Sequence, residues 1–291
     1  VTIENCKALF ASMMRFEPGR RSYTGCSNNR ECVSGAIKIG RNNGNTFIRG
    51  NEVAYGGGEG INIGKYNDPP SGSPIVVEGN TIHDCNHTGI YINASTNIVM
   101  RGNILYCSGT LANTWGNGAP AGIRLKDEIV TGLDRVEFYN NLIVNMGLPI
   151  HIGAKWTTAK RFYCGYNTVV GGPEGDYKGN PAISIKRGTE QGAGNQKGIV
   201  ENNLIDYSMM HQDIATVNNE VGENGVDFRN NAWSKAPVAK ARSNSDVTGN
   251  LKLVNPRAVI KADNYLTRAQ NTYAKFITTD NFNIPIKPCG A

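Results

Sequence analysis

Five side chains in this sequence combine types and spacing suited to an anionic substrate: Tyr91, Arg124, Lys126, His151 and Lys186. Each lies in a short phrase where a small residue precedes Ile-x-Ile or a close variant. The copies are GIYIN at 89–93, GIRLK at 122–126, PIHIG at 149–153 and AISIK at 182–186. Position by position, Tyr91, Arg124, His151 and Ser184 are equivalent, and so are Asn93, Lys126, Gly153 and Lys186. Two earlier copies, AIKIG at 36–40 and GINIG at 60–64, add Lys38 and Asn62 to the first row. A guanidinium clamps a carboxylate through two parallel N–H···O bonds. A neighbouring Lys126, His151 or Tyr91 could then take the proton from the adjoining carbon. That is the equipment of a β-elimination on a uronate. Hydrolysis of a glycoside asks instead for two carboxylates across the scissile bond, and neither row holds an Asp or Glu. Trp115 and Trp156, in adjoining stretches, are placed to stack on sugar rings.

The elements that must position these residues are strands. Within each phrase apolar and polar residues alternate with period two, the mark of a strand buried on one face. Copies of the phrase are separated by 24, 29, 33, 27 and 33 residues. A second phrase, apolar-x-x-Asn-x-apolar, alternates with the first and assigns a repeated asparagine to Asn5, Asn51, Asn80, Asn103, Asn141, Asn167, Asn203 and Asn231. Two or three short strands per unit cannot close a core alone, but stacked coils can. Ile37, Ile61, Ile90, Ile123, Ile150 and Ile183 would form one inward ladder. Ile39, Ile63, Ile92, Leu125, Ile152 and Ile185 would form a second. The repeated asparagine is expected at a left-handed turn, its amide bonding along the pile as in other stacked-strand structures.

Composition agrees. The 291 residues include 36 Asn and 35 Gly, about a quarter of the chain, and Ile outnumbers Leu 26 to 11. Such usage favours strands and turns and excludes a helical bundle. No apolar run is long enough to span a membrane. The net charge of +6 is scattered over the chain, which suits a polyanion; no nucleic-acid motif accompanies it, and none is expected as partner. Seven cysteines without a CxxC pair fit an oxidising compartment better than a zinc or redox motif. Cys85 and Cys107 fall at nearly the same point of neighbouring units and are disulfide candidates, as are Cys26 and Cys32 across a small loop. Cys164 reads as a buried thiol. No metal site is expected from His83 and His87, which lack a third ligand, and no cofactor is called for. Asp127 and Glu128 suit a calcium ion or a turn cap equally.

The alternation of GIxI with apolar-x-x-Asn-x-apolar resembles the right-handed parallel β-helix of the pectate-lyase-like superfamily, over about residues 1–235. The resemblance implies an all-β, single-chain solenoid, with 236–291 as a C-terminal cap or tail. It implies no single activity, because the superfamily spans lyases, hydrolases, epimerases, tailspikes and adhesins. The Asp-Asp and Gly-His-Gly patterns of polygalacturonases and the Trp-x-Asp-His pattern of pectate lyases are missing here. The expectation is therefore a secreted or cell-surface protein that binds an acidic polysaccharide. Arg124, Lys126, His151 and Tyr91 would carry any lyase chemistry, with Lys38, Asn62, Trp115, Trp156 and Lys186 holding substrate. The alternative is a non-catalytic filament, stalk or adhesin subunit whose coils self-associate end to end, because VTIENC opens within a coil with no capping helix before it.

Overall fold

The computed structural model describes residues 1–9, 35–40, 45–56, 58–64, 73–85, 87–107, 120–127, 133–154, 160–171, 180–186, 197–208, 217–219 and 225–251. Within them the chain winds in coils, each adding one strand to each of three sheets, except the last, whose final two strands both join the second sheet. The first coil supplies β1 (Thr2–Glu4), β2 (Lys7–Leu9) and β3 (Ile37–Ile39), the second β4 (Thr46–Arg49), β5 (Glu52–Ala54) and β6 (Glu59–Ile63). Next come β7 (Ile75–Glu78), β8 (Thr81–His83) and β9 (Thr88–Asn93), then β10 (Thr96–Arg101), β11 (Ile104–Tyr106) and β12 (Ala121–Asp127). They are followed by β13 (Asp134–Tyr139), β14 (Leu142–Val144) and β15 (Leu148–Ala154), then β16 (Arg161–Gly165), β17 (Thr168–Val170) and β18 (Ile183–Ile185). β19 (Lys197–Glu201), β20 (Leu204–Asp206) and β21 (Val217–Asn219) precede β22 (Val226–Arg229), β23 (Ala232–Trp233) and β24 (Val247–Thr248). All pairings are parallel and join each strand to its equivalents one coil away. The first sheet starts at β1, the second at β2 and the third at β3.

Both Ile-x-Ile ladders face the interior. Ile61, Ile90, Ile123, Ile150 and Ile183 are fully buried, as are Ile63, Ile92, Leu125, Ile152 and Ile185. The small residue ahead of them is sterically required. A Cβ on Gly60 would stand 2.7 Å from Ile82 Cγ2, and one on Gly89 2.6 Å from Leu105 Cδ2. These glycines face inward where the second and third sheets converge.

The asparagine ladder runs through seven residues. The Nδ2 of Asn51 donates to Asn80 Oδ1 at 2.9 Å, and the pattern repeats through Asn103, Asn141, Asn167 and Asn203 to Asn231. Each Oδ1 also accepts the backbone N–H of the preceding ladder residue, and each Nδ2 also donates to a strand carbonyl, as Asn103 does to Val77 O at 2.9 Å. Every amide is thereby satisfied in a position closed to water, where an orphan would be costly. Asn5 is not a rung. In register it matches Gly50, and Cys6, whose N–H donates to Asn51 Oδ1 at 3.0 Å, stands in the ladder's place. Nor do the ladder residues themselves make the left-handed turn. That role belongs to the residue before each: Asn5, Gly50, Gly79, Gly102, Asn140, Tyr166, Asn202 and Asn230, all at φ between 54° and 62°. A single left-handed residue turns the chain from first sheet to second, and the next residue is free to point its amide along the stack.

At the far end a 3-10 turn (Ala239–Ala241) leads to β24. Asp246 terminates the ladder: its Oδ1 accepts the Asn231 N–H at 2.8 Å, and its Oδ2 accepts from Ser243 N at 3.0 Å and Trp233 Nε1 at 3.1 Å.

The disulfide expected between Cys85 and Cys107 is absent; both are buried free thiols. The left-handed Asp84 (φ 51°) takes the corner position opposite Cys107, so Cys85 is one residue out of register. Converging Cβ vectors, which a disulfide needs, are not available from that arrangement. Burial pushes the Cys85 thiol up to about 12. Cys164 is likewise a buried free thiol, while Cys26 and Cys32 lie outside the described residues.

Candidate functional site on the third sheet

The outer row of the third sheet is in register as Lys38, Asn62, Tyr91, Arg124, His151 and Ser184 on consecutive strands. Lys126 stands between Asn93 and Gly153 in the parallel row. The row faces outward, as alternation requires, yet it is no open surface. Asn62, Tyr91, His151 and Ser184 are buried, Arg124 and Lys126 half-buried, and only Lys38 and Lys186 exposed. Tyr91, Arg124, His151 and Lys126 lie on adjacent strands, about 4.8 Å apart per step. Lys38 lies three strands from Arg124, outside the cluster. Trp115, Trp156 and Glu128 lie outside the described residues, as does the side chain of Asp127.

The His151 ring leans along its own strand over Gly153, where an added Cβ would collide with Nε2. Lys126 is the register partner of Gly153, and Lys186 N donates to Ile152 O at 2.8 Å, so both lysine backbones flank the ring. Burial, reinforced by Arg124, Lys186 and Lys126, pushes the His151 imidazole down to about 3. It is therefore neutral at physiological pH.

Two residues enter the site that alternation does not place there, Glu59 and His87. Arg124 Nη1 approaches His87 Nε2 at 3.2 Å, and His87 Nδ1 lies 3.4 Å from Glu59 Oε1. A guanidinium only donates, so the Arg124 contact falls to His87 Nε2 as acceptor and leaves Nδ1 on the side of the Glu59 carboxylate. The His87 ring also meets Tyr91 edge-on, centroids 6.4 Å apart. Strict period two would turn Glu59 inward with Ile61 and Ile63. Gly60 is inward as well as Ile61, and the doubled step carries Glu59 to the outer side. A carboxylate thus reaches the site, contrary to the expectation from the rows alone. Among the described residues it is one carboxylate, tied to a histidine, and glycoside hydrolysis needs a pair.

Four polar atoms in this neighbourhood are buried and have no hydrogen-bond partner among the described residues: Glu59 Oε2, Asn62 Oδ1, Arg124 Nε and His151 Nδ1. Native interiors leave few such atoms, and each calls for a water, an ion or a ligand as partner. Among the described residues no three His, Cys, Asp or Glu side chains converge to hold a metal ion. His83 is engaged on the second sheet, stacked on Tyr106 at 4.6 Å with its Nδ1 2.9 Å from Asp84 Oδ2.

Residues 1–143 match the family model described as right handed beta helix region. No curated protein and no solved structure matches the chain. The match concerns the coils themselves and does not single out the pectate-lyase-like branch. The coil topology of residues 1–143 continues without a break to β23. The chain is a right-handed parallel β-helix.

Proposed function

We propose that the outer face of the third sheet binds an acidic polysaccharide outside the cell and cleaves it by β-elimination. The observation that carries the reading is the group of four partnerless buried polar atoms set beside Arg124, Lys126 and Lys186. The cations would hold a uronate carboxylate and stabilise the charge that spreads onto it when the adjacent C–H bond breaks. His151 Nδ1 accepts the C5 proton, the released electron pair forms the C4=C5 double bond, and the C4–O bond breaks. Tyr91, on the opposite side of Arg124 from His151, returns a proton to the leaving oxygen. Burial first, and then the surrounding cations, leave free His151 a poor base; a bound carboxylate offsets the cations, so substrate raises the basicity that its own cleavage needs. His87 holds Arg124 in place, and Glu59 holds His87. Among the described residues no helix is long and apolar enough to cross a membrane.

Against end-to-end stacking, Asp246 occupies the position that a further ladder asparagine would need, which favours the binding reading.

Polygalacturonate, alginate and glycosaminoglycans, followed by the ultraviolet absorbance of the unsaturated product, test the proposal. Arg124→Ala should weaken binding and abolish turnover, His151→Ala should abolish turnover with binding kept, and Lys38→Ala should do neither. Binding without product on every polymer would sink the elimination step, and no binding at low salt would sink the whole reading. Light scattering that shows long assemblies would favour stacking.

A further inference from the structure

A second cleft lies on the outer face of the first sheet, across β13, β16, β19 and β22. It encloses about 570 Å³. One wall is basic: Arg135, Arg161 and Lys197 occupy equivalent positions on three successive strands. The other wall is the row Glu137, Tyr163, Ile199 and Asp227, two residues further along the same strands. Tyr163 fixes its shape: the hydroxyl donates to Glu201 Oε1 at 2.9 Å and the ring meets Tyr139 edge-on at 6.4 Å.

The charges are only partly tied. Arg161 donates through its Nε to Asp134 at 2.8 Å, Arg135 Nε lies 4.0 Å from the same carboxylate and Asp227 faces Arg229 at 3.3 Å, but Lys197 is exposed with no acidic partner among the described residues. Glu137 and Asp227 stand at the two ends of the opposite wall and leave Tyr163 and Ile199 between them. A ligand that fits has an apolar face for Tyr163 and Ile199 and carboxylates along one edge only. A run of uronate sugars has that shape, since pyranose rings present C–H faces to aromatic rings.

We propose that this cleft is a second, non-catalytic subsite that anchors the same acidic polymer, away from the third-sheet site. The inference rests on the acidic-polysaccharide reading. Burial and Glu201 hold the Tyr163 hydroxyl well above its ordinary range, so the ring serves as a contact surface and does not take part in proton transfer. Two sites on one rigid solenoid bind a long chain more tightly than either binds a fragment, by roughly 10²-fold or more when both engage.

The test compares long polygalacturonate with a short oligogalacturonide. Lys197→Glu, a surface change that leaves the core intact, should weaken long-chain binding at least about tenfold and leave turnover of the short fragment unchanged. Tyr163→Ala should act in the same direction and Tyr163→Phe should not. With Arg124→Ala, residual long-chain binding should persist and vanish when Lys197→Glu is added. Unchanged long-chain affinity in Lys197→Glu, or an altered oligomeric state in its place, would overturn the anchoring site while leaving the third-sheet reading intact. Persistence of cleft-dependent binding with no turnover in the unsubstituted protein would sink the catalytic reading and spare this one. If no polyuronate binds the unsubstituted protein, both fall.

Discussion

Replacing His151 with Asn should change how stability depends on pH, and the size of the effect can be worked from the site. The imidazole is pushed from 6.5 down to about 3, by burial first and then by Arg124, Lys186 and Lys126. In the unfolded chain it takes up a proton as the pH falls through 6.5, whereas the folded protein does not until about 3. The unfolded state therefore binds more protons across that window, and stability falls as pH falls, by about 1.4 kcal/mol per pH unit. Between the unfolded value and about pH 4.5 this single group should cost about 3 kcal/mol. Urea unfolding of the natural protein and of His151→Asn, measured at matched pH values, isolates the effect because the other titrating groups are common to both. The difference between the two curves should grow with that slope below pH 6.5 and be flat above it. Proton NMR gives an independent reading: the His151 Cε1–H resonance should not titrate near neutrality, and a saturating polyuronate should move its midpoint upward. Parallel unfolding curves, or a His151 resonance titrating close to 6.5, would refute the placement of a buried imidazole among three cations.

Three further outcomes are expected from the scaffold. Asn103→Ala strips an acceptor from Asn80 N and Nδ2 and donors from Asn141 Oδ1 and Val77 O. At about 1–3 kcal/mol per buried group left unsatisfied, urea unfolding should show a loss of several kcal/mol, and a loss below about 1 kcal/mol would contradict the ladder. Asp246→Ala leaves Asn231 N, Trp233 Nε1 and Ser243 N without their acceptor; amide hydrogen exchange should speed up in β23 and β24 and not in β10. Tyr166 sits at φ 55° where most of its counterparts are Gly or Asn, so Tyr166→Asn should stabilise the protein by about 1 kcal/mol, read as a higher melting temperature.

The coils were legible because their period is dictated by simple geometry. A residue buried on one face recurs every second position, and the same inward isoleucine recurs once per turn of the solenoid. Deviations from the repeat mark where a local event shifted the register by one. In VTIENCK the apolar residues flanking the rung are Ile3 and Ala8, which puts Cys6 at the ladder position and Asn5 at the turn. A left-handed Asp84 displaced Cys85 from Cys107. Two consecutive inward residues, Gly60 and Ile61, delivered Glu59 to the outer face. The GEG preceding INIG is the only trace of that step in the sequence. His87 lies one residue ahead of β9, outside any repeated phrase, and its role depends on Arg124 one coil away. The first-sheet cleft follows from side chains on four coils whose rows match only once the register is known.

The column of asparagines also has a direction. Every rung turns its Oδ1 towards the N-terminal coils, and each rung before Asn231 sends one N–H to the next rung on the C-terminal side. Amide dipoles aligned head to tail add, as the peptide units of an α-helix do, and leave partial positive charge at one end and partial negative charge at the other. The positive end is where the carboxylate of Asp246 stands, the arrangement that places acidic residues at helix N-termini. At the opposite end the ladder position is held by Cys6, which brings no charge to oppose the dipole. Neighbouring amides polarise one another along such a chain, so the rungs are not independent. A coil added or removed between these two ends would keep the column's polarity and both of its terminators, which lets the solenoid change length by whole turns without redesigning either end.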